Sequence, residues 1–426
     1  MAANALNEGD TIVHVPLSCV ITNTDFKAQL EALPGQLKHV GDVALALALL
    51  AAQSAGTHCP YVASLPTPAD FAACLPSWWP AEERASLLRG SPLLREVEDD
   101  VASFDHDWAL LRGAGVTTAG VPKLTRGDLQ WALAVVTSRA FTMDSGASCL
   151  VPGVDVMNHR RPRITSYTIS EDGSAGGGGM KVVALQTVAA GAEVAITYGA
   201  KGNSQLLRHY GFTVAANVEP DGSSNDVCPL RFAPDPRPSR KRKGDDAAET
   251  GGDLVVELRL TSSLAPKHYT FGPFTKCLDA CRVLSLTTTS SAGGKLEVRH
   301  ARTEVAALEC LAARLQDADA RYPPPLPCSH EARRADCARI VASERRTLRF
   351  YTTVAATAAA ILRNETSSPR GDPPWKAAAL AALAAADAAA TETGGSELDP
   401  LLAPLCTISG LVRTYLQIKF GVKLEN

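Results

Sequence analysis

Val151-Pro-Gly-Val-Asp155-Val-Met-Asn158-His159 closes an apolar run, and about forty residues on the chain reads Ile196-Thr-Tyr198-Gly199, then Asn203, then Tyr210-Gly211-Phe212. An amide and an imidazole placed directly after a buried strand must use their hydrogen bonds, because buried polar groups without partners cost free energy. Alone, His159 reads as a structural histidine. Followed in order by the Tyr-Gly and Tyr-Gly-Phe segments, it reads as part of a site.

The surroundings alternate between strand and turn signals. Thr125-Arg-Gly-Asp128 has the form of a capping box and opens a helix over Leu129 to Phe141. Strands are expected at Ser148 to Val154, Ile164 to Ile169, Met180 to Gln186 and Val194 to Tyr198, with a Gly-rich hairpin tip from Asp172 to Gly179. A short helix from Gly202 to Gly211 follows. The N-terminus repeats a turn-plus-strand device, Leu6 to Asp10 before Thr11 to Val15. Together these segments predict a small multi-hairpin β-domain. Between 26 and 110 the period turns helical, with Lys27 to Leu33, the strongly apolar Gly41 to Ala55, and a helix after Trp78-Trp79-Pro80 that Gly90 stops. Residues 219 to 252 are polar and carry the run PDPRPSRKRKGDD; the adjacent acids favour a solvated linker over a basic docking patch. Beyond 253 helices are expected at 302–319, 330–348, 350–363, 375–391 and 401–424.

A chain of 426 residues suggests two or three domains. Its 42 basic and 45 acidic residues give a net charge of −3, which argues against a dedicated nucleic-acid binder. Hydrophobic residues make up 46 %, enough for a core, although 68 alanines inflate both that figure and helix propensity. Eleven scattered cysteines without a CxxC read as free thiols in a reducing compartment, and no metal site is expected. No apolar run reaches the roughly 18 residues of a membrane span, and the first ten residues show no signal-peptide pattern.

The chain resembles the SET-domain methyltransferases of the class that holds the Rubisco large-subunit lysine methyltransferase and the actin-histidine methyltransferase. Four segments carry the resemblance: Trp131-Ala132…Ser138-Arg139-Ala140-Phe141, Val151 to His159, Ala190-Gly-Ala-Glu193…Ile196-Thr-Tyr198-Gly199, and Asn203 to Phe212. The resemblance is specific over 130–212 and weaker elsewhere. It implies an α+β fold: a β-rich SET core from 1–25 and 126–215, an α-helical insertion from 26–125, a polar linker from 216–254, and an all-helical substrate-binding domain from 255–426.

The same resemblance implies S-adenosyl-L-methionine as cofactor and SN2 methyl transfer to a lysine side chain of a protein substrate bound by the C-terminal domain. A lysine with an ordinary pKa near 10.4 is only roughly 0.1 % neutral at pH 7.4, so the site must favour the free amine and aim its lone pair. By position in the class motifs, Tyr198 is the catalytic residue, as base or as orienting group. Arg139, Asn158, His159 and Phe212 are expected to bind the cofactor. Ser138, Asp155, Tyr167 and Tyr210 are expected at the substrate nitrogen or along its channel. No nucleic acid or membrane is expected as partner, and the chain is expected to be a monomer, in chloroplast or cytoplasm.

One feature departs from the class. Its members open the SET core with a Gly-x-Gly turn near the cofactor, and this sequence opens at Met1-Ala-Ala-Asn-Ala, with only the following Asn7-Glu-Gly-Asp10 turn. A truncated start is the expectation, with any targeting segment missing too. Two alternatives stand beside the lysine enzyme: a protein-histidine methyltransferase, and a non-catalytic SET-like interaction protein.

Overall fold

The computed structural model describes residues 1–33, 35–113, 124–171, 178–232, 253–260, 268–288, 296–323, 330–367, 373–393, 407–420 and 424. The Gly-rich tip lies outside the described residues at 172–177, as does the basic run within 233–252. Met1–Ala85 with Leu93–Thr213 make one compact unit, and Ser86–Pro92 with Val214–Asn426 a second.

The first unit runs β1 (Thr11–Pro16), β2 (Ile21–Thr22), then helices α1 (Thr24–Glu31), α2 (Val40–Ser54), α3 (Cys59–Ser64), α4 (Pro68–Cys74), α5 (Ala81–Leu87) and α6 (Pro92–Gly113). The boundary with the second unit falls within α5 and again after the first residue of α6. α7 (Arg126–Arg139), β3 (Phe141–Thr142), β4 (Ser148–Leu150), β5 (Thr165–Ser170), β6 (Gly179–Ala184) and α8 (Asn203–Tyr210) follow. Two small antiparallel sheets result, in strand orders β1-β6-β5 and β2-β4-β3. Thr11 pairs with Val183, and Ile21 with Leu150, so the first strands are completed by partners from beyond the helices.

Alternation along the strands puts Val15, Ile169, Met180 and Val182 into one buried cluster with Val151, Val154 and Ile196. α2 is apolar nearly all round and is buried from Val43 to Leu47 without exposure. Each such leucine contributes roughly 1.5–3 kcal/mol by leaving water. α2 packs on α7, whose start is fixed by a reciprocal cap: Asp128 N–H donates to Thr125 Oγ1 and Thr125 N–H to Asp128 Oδ2, both at 3.1 Å.

Two local expectations change. The strand read at Val194 to Tyr198 is reduced to one parallel bridge between His159 and Ile196. The helices read at 330–348 and 350–363 are one helix, because no Gly or Pro interrupts Leu348-Arg-Phe350.

The second unit begins with β7 (Cys228–Phe232) paired antiparallel to β8 (Leu254–Leu258), so a strand lies inside the span read as linker. Among the described residues five helices follow: α9 (His268–Thr288), α10 (Leu296–Ala320), α11 (Glu331–Ser367), α12 (Pro373–Thr393) and α13 (Ile408–Phe420). Phe274, Tyr351 and Tyr415 centre its core, where Tyr415 and Arg282 both hydrogen-bond the Glu304 carboxylate. No disulfide forms among the described cysteines, and no cluster among the described residues could hold a metal ion. No single helix among them is long and apolar enough to cross a membrane.

Candidate active site

The site is assembled in the first unit, where two chain segments cross. After β4 the chain turns at Gly153, whose φ of +83° suits a residue without Cβ. The segment around Ile196 then runs beside the end of this turn: Ile196 N–H donates to the Asn158 carbonyl at 3.0 Å, and Arg160 N–H to the Ile196 carbonyl at 2.9 Å. This crossing places His159 beside Tyr198. The Tyr198 backbone N–H donates to His159 Nδ1 at 2.9 Å, so Nδ1 acts as an acceptor and the ring proton belongs on Nε2. The Tyr198 hydroxyl donates to the Met157 carbonyl at 2.8 Å.

Around Tyr198 lies an aromatic cluster. Tyr210 stacks on it at 4.6 Å, Phe212 meets it edge-on at 6.3 Å, and His159 lies 6.2 Å from Phe212. Burial raises the Tyr198 phenol, with Arg139 opposing and Asp155 adding to the effect. Burial, then the Tyr198 and Tyr167 phenols, push Tyr210 up to about 12. Tyr167, on β5, meets Phe141 edge-on at 5.4 Å and is also raised, mainly by burial. All three tyrosines are therefore neutral at physiological pH.

α8 delivers Tyr210 and Phe212 and is pinned on its outer face. Arg208 donates to Asp100 and Glu96 of α6 in three hydrogen bonds of 2.7 Å. Gly211 ends the helix at φ +80°, and a Cβ built there would lie 2.5 Å from Cys74 Sγ. His209 is pushed down to about 4, by burial first and the Arg208 charge second.

A buried polar group lies next to the cluster. Arg139, at the end of α7, donates from Nη1 to the Asp155 carbonyl at 2.8 Å and stands 3.6 Å from Asp155 Oδ2. The Asp155 side chain has no solvent exposure. Burial raises its carboxyl, while Tyr61 and Arg139 pull the other way. The Tyr61 hydroxyl donates to Asp155 Oδ2 at 2.8 Å. Asp155 Oδ1 and Arg139 Nε are buried and have no hydrogen-bond partner among the described residues. Tyr61 also lines an open depression of about 570 Å³, with Cys19, His58, Pro152 and Val156.

Of the residues singled out in the sequence, His159, Tyr210 and Phe212 all lie against the Tyr198 ring. Tyr167 reaches the cluster electrostatically through Tyr210, and Arg139 and Asp155 through Tyr198. Two have side-chain partners outside the cluster. Asn158 is exposed, and its amide donates to Glu193 Oε1 at 2.6 Å, so the expectation of a buried amide fails there. The Ser138 hydroxyl bonds back along its own helix to the Ala134 carbonyl at 2.7 Å. Sequence reasoning missed Tyr61, whose neighbour Pro60 marks a helix start but says nothing of a partner 94 residues on. It also gave Glu193 no role, although that residue stood in a quoted motif.

No protein-family model matches the chain. Over 230 residues it is 27 % identical to the mouse N-lysine methyltransferase SETD6, covering 50 % of this chain and 47 % of that protein. Over 267 residues it is 26 % identical to the actin-histidine N-methyltransferase of Otolemur garnettii, covering 59 % and 41 %. The chain thus spans half or less of the length of these curated relatives. Among solved structures, Rubisco LSMT bound to AdoMet superposes with a TM-score of 0.58 at 17 % identity, covering 88 % of this chain and 90 % of that one. The SET domain of LSMT bound to methyl-lysine and AdoHcy gives 0.60 at 18 %, covering 85 % and 86 %. The fold is that of the SET-domain proteins, and the relatives are those of the resemblance read from the motifs.

Proposed function

We propose that this SET-fold chain is a protein-lysine N-methyltransferase that uses S-adenosylmethionine. The observation that carries the reading is the stacked pair of neutral tyrosines, Tyr198 and Tyr210, with Tyr167 reaching it electrostatically and the Tyr198 hydroxyl committed to the Met157 carbonyl. Aromatic faces and phenol oxygens suit a lysine side chain, whose charged form they attract and whose amine N–H they accept. The curated lysine and histidine methyltransferase relatives support the reaction class.

The residues present fit the cofactor. Arg139 offers a buried, unpartnered Nε–H suited to a carboxylate, and Phe212 offers a half-buried ring beside His159 suited to a planar base. Exposed Asn158 would contribute its backbone and amide. When bound, S-adenosylmethionine supplies an electrophilic sulfonium methyl.

The protein's own part is orientation. Tyr198 is raised, so it is not a phenolate at neutral pH and cannot serve as a standing base. Its proton goes to Met157, which leaves its oxygen lone pairs to accept from an amine N–H and aim the nitrogen. The proton lost from the ammonium then leaves to water. The helical second unit would dock the substrate protein.

The test incubates the purified chain with methyl-tritiated S-adenosylmethionine and cell extract, then hydrolyses the labelled protein. Label in methyl-lysine is expected. Label in methyl-histidine overturns the choice of lysine, and cofactor binding without any label favours an interaction protein.

A further inference from the structure

Tyr61 comes from α3, far from the motifs in sequence, yet its phenol reaches the most buried charge of the site. Its hydroxyl lies 2.8 Å from Asp155 Oδ2, whereas Arg139 approaches that oxygen only to 3.6 Å and gives its short bond to the Asp155 main-chain carbonyl. Burial of a carboxylate favours its protonated form unless donors hold the charge.

We propose that Tyr61 is a positioning residue of the methyl-transfer site, holding the Asp155 carboxylate and, through it, the Arg139 guanidinium in place. The inference rests on the methyltransferase reading for what Arg139 then binds. The titratable and charged groups facing Asp155 are Tyr61 from α3, Arg139 from α7 and Tyr198; Cys149 on β4 faces Tyr61 in turn. Without the Tyr61 hydroxyl, Asp155 either takes up a proton or draws Arg139 off the carbonyl onto its carboxylate. Both outcomes move or unpair the guanidinium. A phenylalanine keeps the ring and its packing, so only the hydrogen bond is removed.

The experiment compares wild type, Tyr61→Phe, Asp155→Asn and the double variant in the full chain. The first readout is thermal stability at pH 7.5 and 4.5. The Tyr61 bond holds the charged form of a carboxyl that burial disfavours, so its loss should cost more at the higher pH, which favours the carboxylate, than at pH 4.5. In the Asp155→Asn background that pH dependence should vanish. The second readout is titration with S-adenosylmethionine, where Tyr61→Phe should weaken binding about tenfold, the scale of one hydrogen bond to a charged group, and non-additively with Asp155→Asn. A stability loss equal at both pH values overturns the proposal, as does unchanged cofactor affinity in Tyr61→Phe when wild type binds. A wild type that binds no S-adenosylmethionine refutes the methyltransferase reading instead, and the pH comparison still judges the Tyr61–Asp155 linkage, needing only the single Tyr61→Phe variant.

Discussion

Gly211→Ala should destabilise the first unit by about 2–5 kcal/mol. The backbone contributes first: at φ +80° an L-residue with a Cβ costs roughly 1–2 kcal/mol. The packing contributes next. The new Cβ would lie 2.5 Å from Cys74 Sγ and 2.8 Å from Cys74 Cβ. The thiol can rotate away, but the Cβ is fixed to the end of α4, so either that helix or the α8 terminus must shift. Overpacking of this kind costs about 1–3 kcal/mol. Urea unfolding followed by tryptophan fluorescence is the assay, because Trp78, Trp79, Trp108 and Trp131 lie in the first unit and only Trp375 in the second. Cys74→Ala removes the sulfur contact and leaves the Cβ, so adding it to Gly211→Ala should restore part of the loss and never all. Methyl transfer should fall further than stability does, since Tyr210 and Phe212 flank the substituted residue and a misplacement of about 1 Å can cost on the order of 10²-fold in rate. A Gly211→Ala protein within about 0.5 kcal/mol of wild type would refute both the clash and the backbone argument.

Tyr198→Phe should bind S-adenosylmethionine normally by calorimetry yet lose about 10²-fold or more in methyl incorporation, because the hydroxyl that aims the amine is gone. Asn158→Ala should weaken cofactor binding while leaving the melting temperature within a degree or two, as the amide is exposed and bonds only Glu193 in the described site. Thr125→Ala should cost about 1 kcal/mol in urea unfolding through loss of the α7 cap. The depressed His209 contributes stability that is present above its free value near 6.5 and is lost as pH falls through about 4; wild type minus His209→Gln should shrink by up to about 3 kcal/mol over that window.

What was legible in the sequence was local or carried by motif. The Thr125/Asp128 cap uses side chains three residues apart, and the αL glycine after Tyr210 ends a helix by its own chemistry. His159 and Tyr198 were found through their motifs, and their contact through Tyr198 N–H follows from the parallel bridge at Ile196. The Asn158 amide is exposed rather than buried because β4 stops at Leu150 and the turn carries it out to solvent. Tyr61 was illegible because its role depends on where an insertion helix folds back, and no spacing rule links α3 to a carboxylate after β4. The split of α11 at Arg349 came from reading a break where no breaker stands.

The pairing of Thr11 with Val183 has a consequence for birth rather than activity. On a ribosome adding about 5–20 residues per second, β1 waits roughly ten to thirty seconds for β6 to be made. Through that interval its edge is a half-finished ribbon, open to any passing strand. What emerges meanwhile is α1 to α7, whose leucine-rich interior can close on itself and draw β2 towards where β4 will arrive. The helices between the two halves of the sheet would thus serve as a clasp during synthesis, and arresting translation before residue 179 should leave the nascent chain protease-sensitive at 11–16 while α2 is already protected.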